Sequence, residues 1–211
     1  MYLPAHFEEN RAEVLHETMR QIRFATLVTN TGGGPFASHV PMLLDPGAGP
    51  HGTLSGHIAR ANPHWKESPS SSAALAIFLG PDAYVSPSLY PTKRQTGKVV
   101  PTWNYLAVHA AGPIQWIDDA ERLLKIVSGL TEREEGGRHA PWSVSDAPAD
   151  YVQSMLRAIV GFTIPIARLE GKWKMSQNQP AENRAAVAAG IAAEGDRNAA
   201  EVGRIVAERQ R

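Results

Sequence analysis

The chain has 211 residues, with 21 Lys and Arg, 21 Asp and Glu, eight His and no Cys. Without cysteine it can form no disulfide framework, zinc finger, iron–sulfur site or thiolate nucleophile. A formal net charge of zero gives no global attraction to nucleic acid or to an anionic membrane. The longest purely apolar stretch, residues 73–79, is far shorter than the roughly 20 residues that span a bilayer, and the first residues have no apolar signal region. We therefore expect a cytoplasmic protein with no membrane association.

The first half of the chain predicts one helix followed by a series of short strands. Apolar residues at three- and four-residue spacings predict the helix over residues 8–22. Turns rich in Gly and Pro then separate predicted strands at residues 24–29, 36–44, 53–58, 73–79 and 83–86. A helix is expected to begin near Pro63. Residues 90–98 are expected to form an exposed basic loop.

The second half predicts a long strand, two helices, a further strand and a helical tail. The long strand covers residues 102–117 and is interrupted at Gly112-Pro113. Asp118 or Asp119 is expected to cap the next helix. The remaining elements are expected to be helices at 118–130 and 149–159, a strand at 160–169, and two short helices within 181–211, separated at Gly195. Eleven of the 16 prolines lie between Pro35 and Pro113, which favours tight barrel turns over a helical bundle.

Charge is distributed unevenly along the chain. Between Thr31 and Ile117 there are three acidic and five basic residues, together with five of the eight histidines. Residues 118–150 hold eight acidic and four basic residues. A β-region poor in carboxylates can hold an anion without like-charge repulsion. An ordinary solvated surface explains the same composition, so both interpretations stay open.

The segment from Ser55 to Pro63 is the strongest candidate for an anion site. It passes from a predicted strand into a predicted helix start, where free backbone N–H groups and the helix dipole favour an anion. Arg60 can bind a phosphate there bidentately. The alternative is that Arg60 caps a surface turn and His57 packs in the core.

Two other segments carry polar or aromatic groups on predicted strands. Strand alternation puts Ser38 and Val40 on one face and His39 on the other, so polar groups on both faces need a hydrogen-bond partner or a ligand. Residues 102–105 include aromatic side chains that can stack on a bound ring and an amide that can hydrogen-bond to the edge of such a ring. The alternative is that this cluster belongs to the hydrophobic core, which is the more common case. The chain has no nucleotide-binding glycine motif, nucleophile elbow or H-E-x-x-H motif, and its irregular histidine spacing predicts no metal site.

Seven motifs follow one another in a characteristic order along the chain. They are GPFASHVPMLL, GTLSGHIARANPHW, AIFLGPDAYVSPSLYPTK, GKVVPTWNYLAVHAAG, PWSVSDAP, AIVGFTIPI and LEGKWKMSQNQP. In this order they resemble PaiB-type proteins, a family of FMN-binding negative transcriptional regulators, from about Met1 to Val187. The resemblance implies a mainly β fold with peripheral helices (α+β), a six-stranded antiparallel Greek-key FMN-binding split β-barrel like that of pyridoxamine 5′-phosphate oxidase. Together with the Ala-rich, helical composition of the tail, it leads us to expect a split-barrel domain at residues 1–178 and a C-terminal helical tail at residues 179–211.

The resemblance also implies FMN as the cofactor, bound at the interface of a homodimer. By analogy with the split barrels, one group of residues lines the flavin and its phosphate: Ser38, His39, Val40, His57, Ile58, Ala59 and Arg60. A second group lies on a strand that closes over the ring from one subunit or the other: Thr102, Trp103 and Asn104. Further polar candidates near the interface are Lys172, Lys174 and Gln177.

The chain departs from the oxidase at the phosphate turn, where Arg60 is followed by Ala61 instead of belonging to an Arg–Lys pair. This departure predicts FMN that binds weakly or not at all. The resemblance implies a role in negative regulation of transcription, and the alternative is a flavin-dependent oxidoreductase without direct DNA binding. His57 and His109 are the only candidates for a catalytic acid, because histidine is the side chain that changes charge near neutral pH. The sequence does not single out either of them, so no catalytic residue is assigned. Direct DNA binding, through the bases of the 90–98 loop, is disfavoured by the neutral net charge.

Overall fold

The computed structural model describes residues 1–209 and consists mainly of antiparallel strands with helices around them. The strands are β1 (Glu8–Glu9), β2 (Phe24–Thr31), β3 (Gly34–Pro41), β4 (Leu43–Asp45), β5 (Thr53–Ala59), β6 (Ala73–Val85), β7 (Thr102–Pro113), β8 (Gln115–Ile117), β9 (Ile159–Pro165) and β10 (Arg168–Lys174). The helices are α1 (Ala12–Ile22), α2 (His64–Glu67), α3 (Lys93–Thr96), α4 (Ala120–Glu135), α5 (Ala149–Arg157), α6 (Ala181–Ala192) and α7 (Arg197–Glu208). Short 3₁₀ turns occur at Ala5–Phe7, Pro87–Leu89 and Val144–Asp146.

The chain divides into two units, each built from separate stretches of sequence. The first unit comprises Met1–Arg11, Leu79–Val108 and Glu170–Arg211. The second unit comprises Ala12–Phe78 and His109–Leu169. The tail expected over residues 179–211 falls in the first unit, and its residues 210 and 211 lie outside the described residues.

The second unit contains two groups of strands and a helical layer. Strands β2 and β3 form a hairpin that runs from Phe24 opposite Pro41 to Thr31 opposite Gly34, and β2 also pairs with β6. The other strands have the order β4-β5-β9-β8. Helix α4 begins after Asp119, whose carboxylate accepts a hydrogen bond from the Arg122 amide at 2.9 Å, as expected of an N-cap. The apolar stripe of α4 packs in a buried cluster with residues of β8 and α5, namely Ile117, Leu123, Ile126, Leu130 and Leu156.

The first unit has the strand order β1-β10-β7-β6 and a pair of C-terminal helices. Gly195 has a φ of +77°, which a glycine adopts without steric cost, and it lies between α6 and α7 where the sequence predicts the break. The two helices approach closely at Gly203, where an added Cβ would lie 2.8 Å from the Ala188 carbonyl oxygen. The Ala-rich composition of the tail therefore serves close packing of two helices.

Two of the sequence-based elements were wrong, and tertiary pairing explains both. The first helix begins at Ala12 instead of residue 8, because Glu8 pairs with Lys172 and Glu9 with Gly171 in an extended conformation. The Gly80-Pro81-Asp82 sequence is not a turn, because β6 runs through it. A Cβ at Gly80 would lie 2.7 Å from the Leu106 side chain, so this glycine permits close packing within the sheet.

Two further differences concern element boundaries. The single strand expected at residues 160–169 is two strands, β9 and β10. Between them, the Ile166 amide donates to the Gly52 carbonyl at 3.0 Å and the Ala167 amide donates to the Ala111 carbonyl at 2.9 Å. The basic loop at 90–98 contains the short helix α3. Such local elements depend on hydrogen bonds that the sequence pattern alone does not reveal.

The observed architecture confirms the expected fold class, antiparallel β-sheets with peripheral helices. The long strand is interrupted where predicted, since β7 ends at Pro113 and β8 begins at Gln115. Within residues 1–209, no helix combines the length and the apolar character needed to cross a bilayer.

Replacing Gly112 by Ala is expected to destabilise the protein strongly. An added Cβ would lie 2.0 Å from the Pro165 carbonyl oxygen, so the backbone itself would have to move. We expect the free energy of unfolding to fall by about 3 kcal/mol, the upper end of the usual overpacking cost. Urea denaturation would measure this loss. The matched control is Gly137→Ala, where an added Cβ meets no atom within 4 Å and the change should stay within about 0.5 kcal/mol.

Candidate functional site

A cavity of about 610 Å³ lies in the second unit between residues of β3 and β5. We call it the His57 cavity. It brings together six of the residues that the sequence predicts around the flavin: Ser38, His39, Val40, His57, Ile58 and Ala59. Alternation along β3 buries Ser38 and Val40 and exposes His39, whose Nδ1 lies 3.0 Å from the Thr26 hydroxyl. Asn62 also lines the cavity; it belongs to the predicted Ser55–Pro63 segment but was not among the predicted flavin residues.

His57 lines this cavity and also a mostly apolar cavity of about 240 Å³ beside α5, and its ring carries an unpaired polar atom. Its Nδ1 is buried and has no hydrogen-bond partner among the described residues. Burial lowers the pKa of the imidazole below its ordinary value, because the charged form is poorly solvated. The ring is therefore neutral at pH 7. Because buried polar atoms in native proteins are nearly always hydrogen-bonded, this nitrogen is suited to meet a ligand.

A second histidine holds the cavity wall in place. His64 is fully buried, with Nδ1 2.9 Å from the Ser38 hydroxyl and Nε2 2.8 Å from the Thr29 hydroxyl. The Asn62 amide donates to the Ser38 oxygen at 3.0 Å and its carbonyl accepts from the His64 backbone amide at 3.0 Å. Burial lowers the pKa of His64, so the ring is neutral and can donate to one hydroxyl while accepting from the other. This network orients the two polar side chains, Ser38 and Asn62, that face the cavity.

Arg60 lies at the turn after β5 but does not line the His57 cavity. Its Nε donates to the Arg157 carbonyl at 2.7 Å, and its Nη2 donates to the Ile159 carbonyl at 2.9 Å. Nη2 also forms an ion pair with Asp118, which raises the pKa of Arg60 and lowers that of the carboxyl group. The guanidinium thus joins the C-terminal end of α5 to the start of β9. Its predicted contact with the FMN phosphate stays a prediction.

The remaining predicted residues lie in the first unit, and three of them line another cavity of about 440 Å³. We call it the Lys174 cavity. Lys174 donates from Nζ to the Thr102 hydroxyl and to the Trp103 carbonyl. Asn104 is 1% exposed and exchanges hydrogen bonds of 3.0 and 3.1 Å with the Ser176 hydroxyl. The lining thus includes Thr102, Asn104 and Lys174 from the predicted set.

The other three residues of the first unit have clear local roles. The Trp103 side chain is 53% exposed and its ring centroid lies 5.8 Å from that of Tyr84. Lys172 is buried, donates to the Tyr2 carbonyl at 3.0 Å, and lies 5.3 Å from the Tyr105 ring centroid. Gln177 donates to the Trp173 carbonyl at 2.6 Å and accepts from the Met175 amide at 2.7 Å. It therefore stabilises the turn after β10.

Sequence reasoning missed three residues that shape these sites, His64, Asn62 and Ser176. A signal existed for Asn62, because the Asn62-Pro63 pair marks a helix start and an Asn side chain readily bonds the backbone there. Nothing local identifies His64 or Ser176, because their partners are 26 and 72 residues away in the sequence. Among residues 1–209, no group of three or more His, Asp or Glu side chains is close enough to hold a metal ion.

Comparison with known proteins assigns the family. The family model described as "Putative FMN-binding domain" matches residues 1–168. The chain belongs to this FMN-binding family. It is 32% identical to the Protease synthase and sporulation protein PAI 2 of Bacillus subtilis, over 85% of this chain and 83% of that protein. It is 34% identical to an uncharacterized protein of Aspergillus fumigatus, over 90% of each.

Solved structures agree on the fold. A FAD and heme binding protein from Mycobacterium smegmatis has a TM-score of 0.57 at 18% identity, covering 79% of this chain and 73% of that chain. The flavocytochrome Anf3 from Azotobacter vinelandii has a TM-score of 0.53 at 16% identity, covering 79% and 69%. The expectation of a PaiB-type FMN-binding protein with a split-barrel fold is therefore confirmed, and FMN is its cofactor.

The His57 cavity of this PaiB-type protein suits the ring of FMN better than its phosphate. Its volume falls within the roughly 300–1,000 Å³ of cofactor sites. The unpaired His57 Nδ1 offers a hydrogen bond to a ring nitrogen or oxygen. Within the described part of the chain, however, no Lys or Arg lines this cavity. The residues present therefore fit the flavin ring, and the cations that would balance a phosphate lie elsewhere.

His64 is expected to make the stability of the protein depend on pH. Because the folded-state pKa of this histidine is lowered, the unfolded chain binds a proton first as the pH falls below about 6.5. The free energy of unfolding should be constant above that pH. It should then fall by at most about 1.4 kcal/mol per pH unit for this group until the folded-state pKa is reached.

Urea denaturation at pH 5, 6 and 7 would test this dependence. His64→Ala should cost about 2–4 kcal/mol at pH 7, through lost packing and the lost hydrogen bonds to Thr29 and Ser38, and should reduce the pH dependence to the part that His57 contributes. His139→Ala, in an exposed loop, is the control and should keep the wild-type profile. An unchanged pH slope in the His64 variant would contradict the assignment.

Proposed function

We propose that the His57 cavity holds the isoalloxazine ring of FMN. The observation that carries this proposal is that six predicted flavin residues line one cavity and that one of them, His57, has a buried nitrogen without a partner among the described residues. In this arrangement His57 hydrogen-bonds the ring edge, while Ser38 and Asn62 contribute polar contacts that His64 keeps in place. Side chains locked by their own hydrogen bonds lose little entropy when a ligand binds, which favours affinity.

The bound cofactor would supply one- and two-electron redox chemistry, while the chain's own residues bind and orient it. His57 is neutral at pH 7 because burial lowers its pKa, so it can hold a hydrogen bond without adding charge to the cavity. The cavity has hydroxyl, amide and imidazole groups along one wall and apolar residues such as Val40 and Ile58 on the same strands. This mixture supports an orienting role for the protein.

Loss of the His57 hydrogen bond should weaken FMN binding. His57→Phe keeps an aromatic ring of similar size but removes both nitrogens, so we expect FMN affinity to fall about 3- to 10-fold, as for one neutral hydrogen bond. Quenching of FMN fluorescence on titration with the protein would measure the affinity. His139→Ala is the control and should bind FMN as the wild type does. Equal affinity in the His57 variant, with an unchanged melting temperature, would place the ring outside this cavity.

We further propose that the protein is a cytoplasmic homodimer with the flavin at the subunit interface. Exposed apolar side chains on the first unit support a contact surface: Leu79 is 61%, Tyr84 44%, Val100 72% and Trp103 53% exposed. Among them, the rings of Tyr84 and Trp103 lie side by side, with centroids 5.8 Å apart, and exposed apolar patches are typical of a protein interface.

The dimer can be tested with a charge placed in this surface. Leu79→Glu should shift the protein towards the monomer, because an unpaired carboxylate is costly to bury in an apolar interface. Light scattering after size-exclusion chromatography would give the mass. His139→Glu introduces the same charge at an exposed loop residue and should leave the dimer intact. A Leu79 variant that stays dimeric would remove this surface from the interface.

The biological role that we propose is negative regulation of transcription, in which the flavin-bound protein acts without reading DNA itself. The name of the Bacillus subtilis relative, which refers to protease synthesis and sporulation, supports a regulatory role. The net charge of zero argues against general DNA affinity. A gel-shift with promoter DNA should therefore show no salt-sensitive complex, and such a complex would favour direct binding through Lys93, Arg94 and Lys98.

A flavin-dependent oxidoreductase is the second candidate function. The half-buried, neutral His57 beside an open cavity favours it, because a group of this kind can pass a proton to a flavin or its substrate. Two solved structures with the same fold are named for redox cofactors, FAD and heme in one and a flavocytochrome in the other. NADH- or NADPH-dependent reduction of the bound flavin, faster than that of free FMN and slowed in His57→Phe, is the expected result for an enzyme.

A further inference from the structure

The Lys174 cavity of the first unit has the chemistry of an anion site. Two of its lining residues, Lys98 and Lys174, are cations, and most of the others carry hydroxyl or amide groups. In the described chain, no Asp or Glu lines this cavity. A concave site that holds only positive and neutral polar groups attracts anions and excludes cations.

Among the described residues, no carboxylate balances the charge of Lys174. The hydrogen-bond partners of its Nζ are the Thr102 hydroxyl and the Trp103 carbonyl, and both are uncharged. Partial burial and the neighbouring Lys172 lower the pKa of the ammonium group, which means that its charged form is under-stabilised. A half-buried cation without a counter-charge gains most from a ligand that brings one.

The cavity wall is held by hydrogen bonds on two sides. Asn183 is 2% exposed; its Oδ1 accepts from the Thr92 hydroxyl at 3.2 Å, and its Nδ2 donates to Gln179 at 3.1 Å. On the other side, Asn104 and Ser176 exchange hydrogen bonds in the core of the unit. Donors fixed in this way are already arranged for a ligand, so binding costs little ordering.

We propose that the Lys174 cavity binds the phosphate group of a small molecule, with Lys174 as the principal cationic contact and Lys98 as the second. A phosphate dianion suits this site better than a single carboxylate, because two ammonium groups and several hydroxyl and amide groups surround the cavity. The phosphate has two sources to be distinguished, the terminal phosphate of FMN and a separate phosphorylated molecule. The site itself does not rest on the flavin assignment of the His57 cavity, because inorganic phosphate probes it without flavin.

The test uses the full-length chain and the variant Lys174→Gln. Inorganic phosphate binding is measured by calorimetry, on flavin-free and on FMN-loaded protein, and FMN and riboflavin affinities are measured by fluorescence quenching. Loss of one charged contact should weaken phosphate binding to the flavin-free protein about 10- to 100-fold. Lys93→Gln is the matched control, since it removes the same charge from an exposed position of the first unit outside the cavity.

The two sources give different patterns. If FMN provides the phosphate, Lys174→Gln weakens FMN but not riboflavin, and inorganic phosphate competes with FMN. If a second molecule provides it, both flavins bind Lys174→Gln as they bind the wild type, and the FMN-loaded wild type still binds inorganic phosphate. Either pattern supports the site. Equal affinities for phosphate and FMN in wild type, Lys93→Gln and Lys174→Gln would overturn it.

Lys174 also donates hydrogen bonds to Thr102 and Trp103, so Lys174→Gln removes contacts within the fold as well as a charge. Two further variants separate a loss of phosphate binding from a loss of folding. Lys98→Gln changes an exposed side chain and should fold normally while weakening phosphate about 3- to 10-fold. Lys174→Arg keeps the charge and should retain most of the phosphate affinity. Lys98→Gln with wild-type phosphate affinity, or Lys174→Arg that binds phosphate no better than Lys174→Gln at an unchanged melting temperature, would also count against the site.

Discussion

One buried side chain, the neutral imidazole of His64, connects α2 to both strands of the β2–β3 hairpin in the second unit. It is fully buried, and its two nitrogens contact Thr29 on β2 and Ser38 on β3. Burial keeps the ring neutral, and because a hydroxyl can both donate and accept, one nitrogen donates to one partner while the other accepts from the second. The hairpin and the wall of the His57 cavity are therefore linked through a single uncharged group. Removing it would take away the His64 contact of the buried Thr29 hydroxyl and leave Ser38 with Asn62, and a buried hydroxyl that loses its partner costs more than the bond itself contributes.

Two histidines that burial keeps neutral thus have different roles in one unit. His64 has partners at both nitrogens and serves the structure, whereas His57 keeps a buried Nδ1 without a partner at the edge of a cavity. The same physical cause, desolvation, lowers the pKa of each. What separates a structural histidine from a candidate ligand contact is the presence or absence of neighbouring hydrogen-bonding groups.

Cationic groups show a similar division. Arg60, which the sequence favours as a phosphate contact, is occupied by Asp118 and by two backbone carbonyls. Lys174, which was expected as a further polar candidate near the interface, has no carboxylate partner among residues 1–209 and lines a cavity. Whether a cationic side chain is free to bind an anion therefore depends more on the groups around it in the fold than on its position in a sequence motif. Exposed ion pairs such as Arg60 with Asp118 contribute little energy, yet they orient the guanidinium.

The sequence by itself determined the fold class, the family and FMN as cofactor, because ordered motifs and strand-length apolar runs are local properties of the chain. It also predicted the interruption at Gly112-Pro113 and the break at Gly195, where backbone geometry depends on residue type alone. Only the tertiary structure decided that residues 8 and 9 are extended and that Arg60 is held by Asp118. It also decided which polar groups stay unpaired. These features depend on contacts between residues 58 to more than 160 positions apart, and no local pattern encodes which distant group will satisfy a hydrogen bond or balance a charge.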